Sequence, residues 1–374
     1  MAPTGASSDR QPLEEWIPLA EQVVRTSLRL GEKDVFTIYT YPSTIPLAEA
    51  LALEARRVGS DTHLTLMTDD LWFTSMRELP AKWLRTASPI ERALAETETA
   101  HIYLGGPADA RRMRDIPPEK MQANEMGNLR QHEPRRKRKV RDIDLSIGRV
   151  TPERAESYGL DYARWNRSYR DALAVDLKEI QRAGAALARG LRGRKEVRID
   201  SDAGTDLSFE TKAIPPIVSD GIISAEDARR GFVTATLPAG RLEIPVRPES
   251  VHGEIRSTDF IPFAGRAILR PWFRVRAGKI IEWGAEEHED LLGRMLRHSK
   301  VDTARIGFVT IGLNGSAQPC MLDNSIVKDD LGFGLGPHPQ LERKAADPNV
   351  SFDTTIGPVH IKVGGSEKRA PRRS

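Results

Sequence analysis

The chain has 374 residues, 39% of them hydrophobic and 29% charged, with a formal net charge of +3. That length exceeds what one hydrophobic core ordinarily serves, so two domains are expected, and the near-balance of charge excludes a general nucleic-acid-binding surface. A single cysteine, Cys320, excludes an internal disulfide framework or a thiolate metal cluster and fits a reducing, cytoplasmic setting. The opening stretch MAPTGASSDRQPLEE is polar, without the apolar core of a signal peptide, and no run approaches the ~20 apolar residues of a membrane span.

Residues 13–30 (LEEWIPLAEQVVRTSLRL) set Trp16, Leu19, Ala20, Val23, Val24, Ser27 and Leu30 at helical spacing, and Gly31 closes that helix. The β-rich run DVFTIYTY, a proline-bounded turn and the helical PLAEALALEARRVG come next. The strand HLTLMT at 63–68 follows, then AHIYLGG, which ends in Gly105 and Gly106. Strand, helix and strand with short connections imply right-handed parallel units, hence an α/β domain over 14–150 behind a disordered segment 1–13. The basic run RQHEPRRKRKVRD at 130–142 reads as a solvated loop and strand edge, where lysine and arginine oppose edge-to-edge aggregation; a phosphate-binding patch or a localisation signal is the alternative, and the aspartates directly after it argue against a nucleic-acid stripe.

Residues 151–190 read as a long connecting helix whose stripe of Tyr162, Trp165, Tyr169, Leu173, Leu177, Ile180 and Leu187 faces a core. Beyond Gly190 the period changes to two. EVRIDSD, DLSFET, GFVTATLPAG, LEIPV, GEIRSTDFI, RAILRPWFRVRAG, KIIEWGA, RIGFVTIGL and GPVHIKVGG are strands of a mainly antiparallel β domain over 191–365. One helix interrupts them at 286–298, and the tail 366–374 reads as disordered. Near the end, Val-His-Ile-Lys turns His360 and Lys362 to one face of a strand. A lysine ammonium has donors and no acceptor, so this pair is not a metal chelate. The glycines at 332–336 lack the strand-to-helix setting of a dinucleotide loop, and no G-x-S-x-G nucleophile motif is present.

The phrases AGTDLSFE (203–210), LPAGRLEIPV (237–246), SVHGEIRSTD (250–259), GKIIEWGAEEHEDLL (278–292) and IGFVTIGLN (306–314), with the closing VHIK, stand in one order. In that order the chain resembles the aminopeptidase T and aminopeptidase S family of two-metal exopeptidases, over residues 14–365. CMLDNSIVKDDLGFGLGPH at 320–338 is similar to the 2,5-dihydroxypyridine dioxygenases, mononuclear iron enzymes of related architecture. The resemblance implies an N-terminal parallel α/β domain, a β-rich domain of thermophilic-aminopeptidase-like fold, and a homodimer. It also implies where metal ligands would fall. One glutamate position holds Arg241 and a second holds Phe308, and a glutamate and a histidine fall among Asp323, Asn324, Ser325 and Gly332. A tyrosine becomes His338, a dioxygenase histidine falls near Thr310, and the final His-x-Asp becomes His360-Ile361-Lys362. Arginine and lysine bring positive charge where two dications would sit, which makes a two-metal site unfavourable.

Two chemistries remain open. His338 and His360, with Asp330 or Asp329 and with Glu243 close in sequence to the lost glutamate, would suit one divalent cation such as iron, manganese or zinc. Without a metal, Arg241 and Lys362 would bind a substrate carboxylate or an oxyanion, His360 would move a proton, and Glu243, Phe308 and Thr310 would line the substrate. The expectation is a small-molecule hydrolase cleaving an amide, amine or ring bond. The alternatives are a ring-cleaving iron enzyme and a non-catalytic binding protein.

Overall fold

The computed structural model describes residues 13–263, 265–298, 305–319, 324–336, 350–352, 356–357, 359–364 and 366–368. The chain divides into two compact units, residues 1–151 with 222–237 and residues 152–221 with 238–374.

The first unit is built on a parallel sheet of β1 (Val35–Thr40), β2 (Asp61–Leu66), β3 (Ala100–Tyr103), β4 (Arg141–Leu145) and β8 (Thr234–Leu237), in the order β2-β1-β3-β4-β8. Its helices are α1 (Ile17–Glu21), α2 (Ile45–Arg57), α3 (Asp69–Glu78), α4 (Ala81–Leu84), α5 (Pro89–Thr97), α6 (Pro118–Gln131), α7 (Glu133–Arg138) and α11 (Ala225–Arg230). Alternation along the strands buries Phe36, Ile38, Ala100, Ile102, Ile143 and Leu145 on one face. The opposite face is polar. Register aligns His63, Thr37, His101, Asp142 and Thr234 in one row, and Thr65, Tyr39, Tyr103, Asp144 and Thr236 in the next.

Three local readings change. The expected helix over 13–30 is a 3-10 turn, the short α1 and a π-helical turn at Gln22–Ser27. The basic run is helical: it ends α6 and forms α7, which stops at Lys139 in a left-handed conformation (φ +58°). Residues 234–237, read from their alternation as part of the antiparallel domain, instead join β4 in parallel. Period-two spacing reports a half-buried strand and not which sheet receives it. The chain reaches β8 through α11, whose Ser224–Asp227 capping box starts it and whose Gly231 (φ +86°) ends it.

The second unit starts with three helices, α8 (Pro152–Tyr158), α9 (Tyr162–Leu173) and α10 (Leu177–Gly190), where one long helix was expected. Asp161 and Asp176 account for the breaks. Each carboxylate accepts a backbone N–H of the following first turn, from Arg164 and Lys178 respectively, so each starts a new helix. A seven-stranded antiparallel sheet runs β14 (Lys279–Gly284), β13 (Trp272–Arg276), β10 (His252–Arg256), β6 (Asp206–Glu210), β5 (Glu196–Ser201), β18 (Val359–Val363), β19 (Ser366–Lys368). A five-stranded antiparallel sheet runs β17 (Val350–Phe352), β16 (Leu331–Leu335), β15 (Ile306–Gly312), β9 (Arg241–Pro245), β7 (Ile217–Ser219). The hairpin β11 (Phe260–Phe263)–β12 (Arg266–Leu269) and α12 (Glu289–His298) complete the unit.

Both large sheets feed one core. Val197, Ile199, Leu207, Phe209, Phe273 and Val359 enter it from the first, and Leu242, Ile244, Val309, Ile311 and Phe333 from the second. Phe273 and Phe333 meet edge to face at 5.5 Å. Buried Asn314 ties the end of β15 to its neighbours, donating to the carbonyls of Ala172 (3.0 Å) and Ala239 (2.8 Å). Gly240 (φ +129°) must be glycine here, since a Cβ would stand 2.7 Å from that of Asn314.

Candidate functional site

On β9 the pleat sends Leu242 and Ile244 into the core, so Arg241 and Glu243 turn to the other face. On β15, Val309 and Ile311 enter the same core and leave Phe308 and Thr310 facing away from it. Thr310 stands opposite Glu243 in the antiparallel register, Phe308 opposite Pro245, and Gly312 opposite Arg241. Directly opposed residues share a face, so these four side chains are brought together. The Phe308 ring lies across Gly334 of β16, 1.9 Å from where a Cβ would stand. That contact explains the Gly-Phe-Gly at 332–334: glycine makes room for the phenylalanine.

Arg241 donates from Nε to Glu243 Oε1 at 2.8 Å and from Nη1 to Ser325 Oγ at 3.3 Å. The pair is largely out of water, with side chains 21% and 7% exposed. Thr310, Ser325 and Asp330 are buried around it. The half-buried guanidinium lies against the buried carboxylate, so each charge offsets part of the desolvation of the other. The next residue, Asn324, donates to Asp259 Oδ2 at 2.9 Å. Burial pushes the Asp259 carboxyl up from the usual range, opposed by the Phe260 amide and by Asn324. Asp330 sits in a turn whose preceding residue, Asp329, takes φ +67°, and its carbonyl accepts from the Gly312 amide at 2.8 Å.

His360 and Lys362 are carried on the other sheet. Val359, Ile361 and Val363 pack on the core, so the pleat turns His360 and Lys362 to the opposite face of β18. Their cross-strand partners are Asp200 and Arg198. Lys362 Nζ lies 3.5 Å from Asp200 Oδ1, with side chains 46% and 34% exposed. On the same face, Arg198 forks onto Asp206 at 3.0 and 2.7 Å, and Arg274 reaches Glu282 at 2.5 Å. Lys362 thus belongs to a ladder of cross-strand ion pairs. The Nδ1 of His360 is buried and has no hydrogen-bond partner among the described residues. His338, Asp323 and Cys320 lie outside the described residues.

The expected site residues therefore fall into two groups, Arg241, Glu243, Phe308 and Thr310 on one sheet and His360 and Lys362 on another. Sequence reasoning assigned no role to Asp259, and Ser325 entered only through the resemblance. Their signal in the sequence is no more than local polarity, Ser-Thr-Asp at 257–259 and Asn-Ser at 324–325. Among the described residues, no group of three His, Cys, Asp or Glu stands where it could hold a metal ion. Of the carboxylates there, Glu243 is already engaged by Arg241. The described donors therefore do not fit a metal centre. Among the described residues, no helix is long and apolar enough to cross a membrane.

A profile of the M29 peptidase family, described as thermophilic metalloprotease, matches residues 14–318. Among solved structures, the chain is similar to wild-type AmpT from Thermus thermophilus, with a TM-score of 0.68 and 17% identity, covering 96% of this chain and 98% of that one. It is also similar to 2,5-dihydroxypyridine dioxygenase from Pseudomonas putida KT2440, with a TM-score of 0.56 and 13% identity, covering 94% and 92%. At these identities the likenesses establish the fold. No curated protein sequence matches the chain.

Proposed function

We propose that this chain, which belongs to the M29 peptidase family of thermophilic metalloproteases, is a hydrolase of small molecules that works through Arg241 and Glu243. One observation supports the reading: Arg241, half-buried, pairs with buried Glu243 on β9 at the position where the family resemblance implies a metal-binding carboxylate. The Glu243 carboxylate accepts a proton from a water molecule as that water attacks a carbonyl carbon. A C–O bond forms, and the carbonyl electron pair moves to oxygen, where the Arg241 guanidinium faces the developing charge. As the tetrahedral intermediate collapses, the bond to the leaving nitrogen or oxygen breaks, and Glu243 returns the proton to that atom. Buried Thr310 stands opposite Glu243 and buried Phe308 opposite Pro245, packing that favours a compact substrate over an extended peptide. General peptidase activity is not part of the proposal, because Arg241 and Phe308 replace two implied carboxylate ligands.

Turnover of a panel of small amides, lactams, anilides and esters, with a chelator present, tests the reading. The Glu243→Gln variant should lose ~100-fold or more in turnover on whichever class the wild type hydrolyses, the scale of a lost general base. Chelator-sensitive release of amino acids from ordinary dipeptides, or full turnover by Glu243→Gln, would overturn it.

A further inference from the structure

The polar face of the parallel sheet takes no part in the site above. Parallel sheets are covered on both faces and ordinarily read apolar on both, so a polar face here calls for a cause. The middle of its first row, at Thr37, His101 and Asp142, is closed over by an internal network. Buried Glu98 accepts from Thr37 and pairs with Arg135 of α7, and His101 Nδ1 meets Asp142 Oδ1 at 2.7 Å. The second row differs: Thr65, Tyr39, Tyr103, Asp144 and Thr236 are each only half-buried.

That second row runs past the place where strand order reverses. From β1 the chain goes to β2 on one side and then to β3 on the other. In open parallel sheets, ligands bind outside the carboxyl ends of the strands at such a reversal. Tyr39 and Tyr103 occupy those ends, and Tyr41 follows β1 directly. The three rings stand 5.6 to 6.5 Å apart between centroids and are inclined to one another by 36° to 89°. An ammonium interacts with a ring within ~6 Å of its centroid, so the half-buried rings of Tyr39 and Tyr103 can share one cation, with the buried Tyr41 ring packed beside them.

The charges around the rings are polarised. Burial first, then Tyr103 and Glu91, hold the Tyr39 phenol well above its usual range, and burial, the two other tyrosines and Asp69 do the same for Tyr41. Both phenols therefore stay neutral, and the acids on their side leave a negative field there. Positive charge lies past the end of β3. A Cβ on Gly106 would stand 3.3 Å from Tyr103 Oη and 3.7 Å from Arg149 Nε, so the hydroxyl and the guanidinium come together over a residue with no side chain.

We propose that the carboxyl ends of β1 and β3 bind a small zwitterion, its ammonium on the tyrosine rings toward Glu91 and its carboxylate toward the Tyr103 hydroxyl and Arg149. An anion alone would face Glu91 and Asp144, and a cation alone would face Arg149. A molecule carrying both charges, as a free amino acid does, matches the field at each end.

Calorimetric titration of the full chain with three probes tests this: L-phenylalanine, phenethylamine (which lacks the carboxylate) and 3-phenylpropionate (which lacks the ammonium). L-Phenylalanine should bind at least ~10-fold more tightly than either half-molecule. Tyr103→Phe keeps the ring and removes the hydroxyl. It should weaken L-phenylalanine and 3-phenylpropionate and leave phenethylamine unchanged. Glu91→Gln should weaken L-phenylalanine and phenethylamine and leave 3-phenylpropionate unchanged. The double variant Arg241→Met/Glu243→Leu, altered only in the second unit, should bind all three probes as the wild type does. The proposal is overturned if the three probes bind equally, or if L-phenylalanine gives no binding at about 10 mM, weaker than ordinary small-ligand recognition. Binding that is lost in the double variant but kept in Tyr103→Phe would overturn it too.

Discussion

Arg241 and Glu243 lie two residues apart on one strand, joined Nε to Oε1 at 2.8 Å and facing away from the core that their neighbours Leu242 and Ile244 fill. Removing one member of a buried ion pair leaves the other charge uncompensated. Arg241→Met should therefore cost about 3 kcal/mol of stability. Arg241→Met/Glu243→Leu should recover most of that loss, because an apolar pair needs no partner charge. Urea denaturation of the three proteins measures both effects, and equal stability of the single variant and the wild type would show that the pair is not desolvated.

Chelator treatment followed by desalting should leave turnover unchanged, since the proposed chemistry uses Glu243 and Arg241. Restoration of a lost activity by zinc, manganese or iron would contradict the proposal and direct attention to His360 with residues outside those described.

Lys362→Ala should change stability by less than ~1 kcal/mol and turnover by less than about twofold, because its pair with Asp200 is solvent-exposed. A large fall in turnover with unchanged stability would return Lys362 to the catalytic machinery.

Burial, with Arg135 and His101 nearby, holds the His132 imidazole down to about 4, while Asp142 pulls weakly the other way. The folded chain therefore favours neutral His132, and the unfolded chain takes up its proton first as pH falls. Stability linked to this residue is complete above about pH 6.5 and is lost as pH drops toward 4, by about 3 kcal/mol in all. The curve of stability against pH should flatten over that window in His132→Asn. An unchanged slope would place the titration elsewhere.

Gly184 of α10 packs against β7, where a Cβ would stand 2.4 Å from Val218 Cγ1 and 3.1 Å from Leu313 Cδ1. Gly184→Ala should destabilise by about 1–3 kcal/mol through overpacking, despite alanine's better helix propensity. Adding Val218→Ala should relieve the clash, and thermal melts of the single and double variants would show it.

Much of the fold was legible in the residues. Alternation along VFTIYT, AHIYL and the later runs marks the strands, because burial on one face of a pleat demands period two. The collinear phrases from Ala203 to Asn314 pointed to the aminopeptidase-T-like fold that the likeness to AmpT supports. The break at Asp176 was less visible, since an aspartate inside an amphipathic stripe reveals itself as a cap only when its carboxylate meets the next turn's N–H.

What the sequence determined by itself was local: which residues alternate, which carry charge, and that Arg241 and Lys362 stand where the resemblance implies acids. The tertiary structure decided what those charges meet. Glu243 and Ser325 reach Arg241 only because a strand pleat and a turn 84 residues along the chain bring them there. Asp200 reaches Lys362 only through the pairing of β5 with β18. Period two tells that a side chain leaves the core and nothing about which strand lies beside it. For that reason Thr234–Leu237 could join the parallel sheet unannounced, and the tyrosines at the ends of β1 and β3 come together only when those distant strands pair.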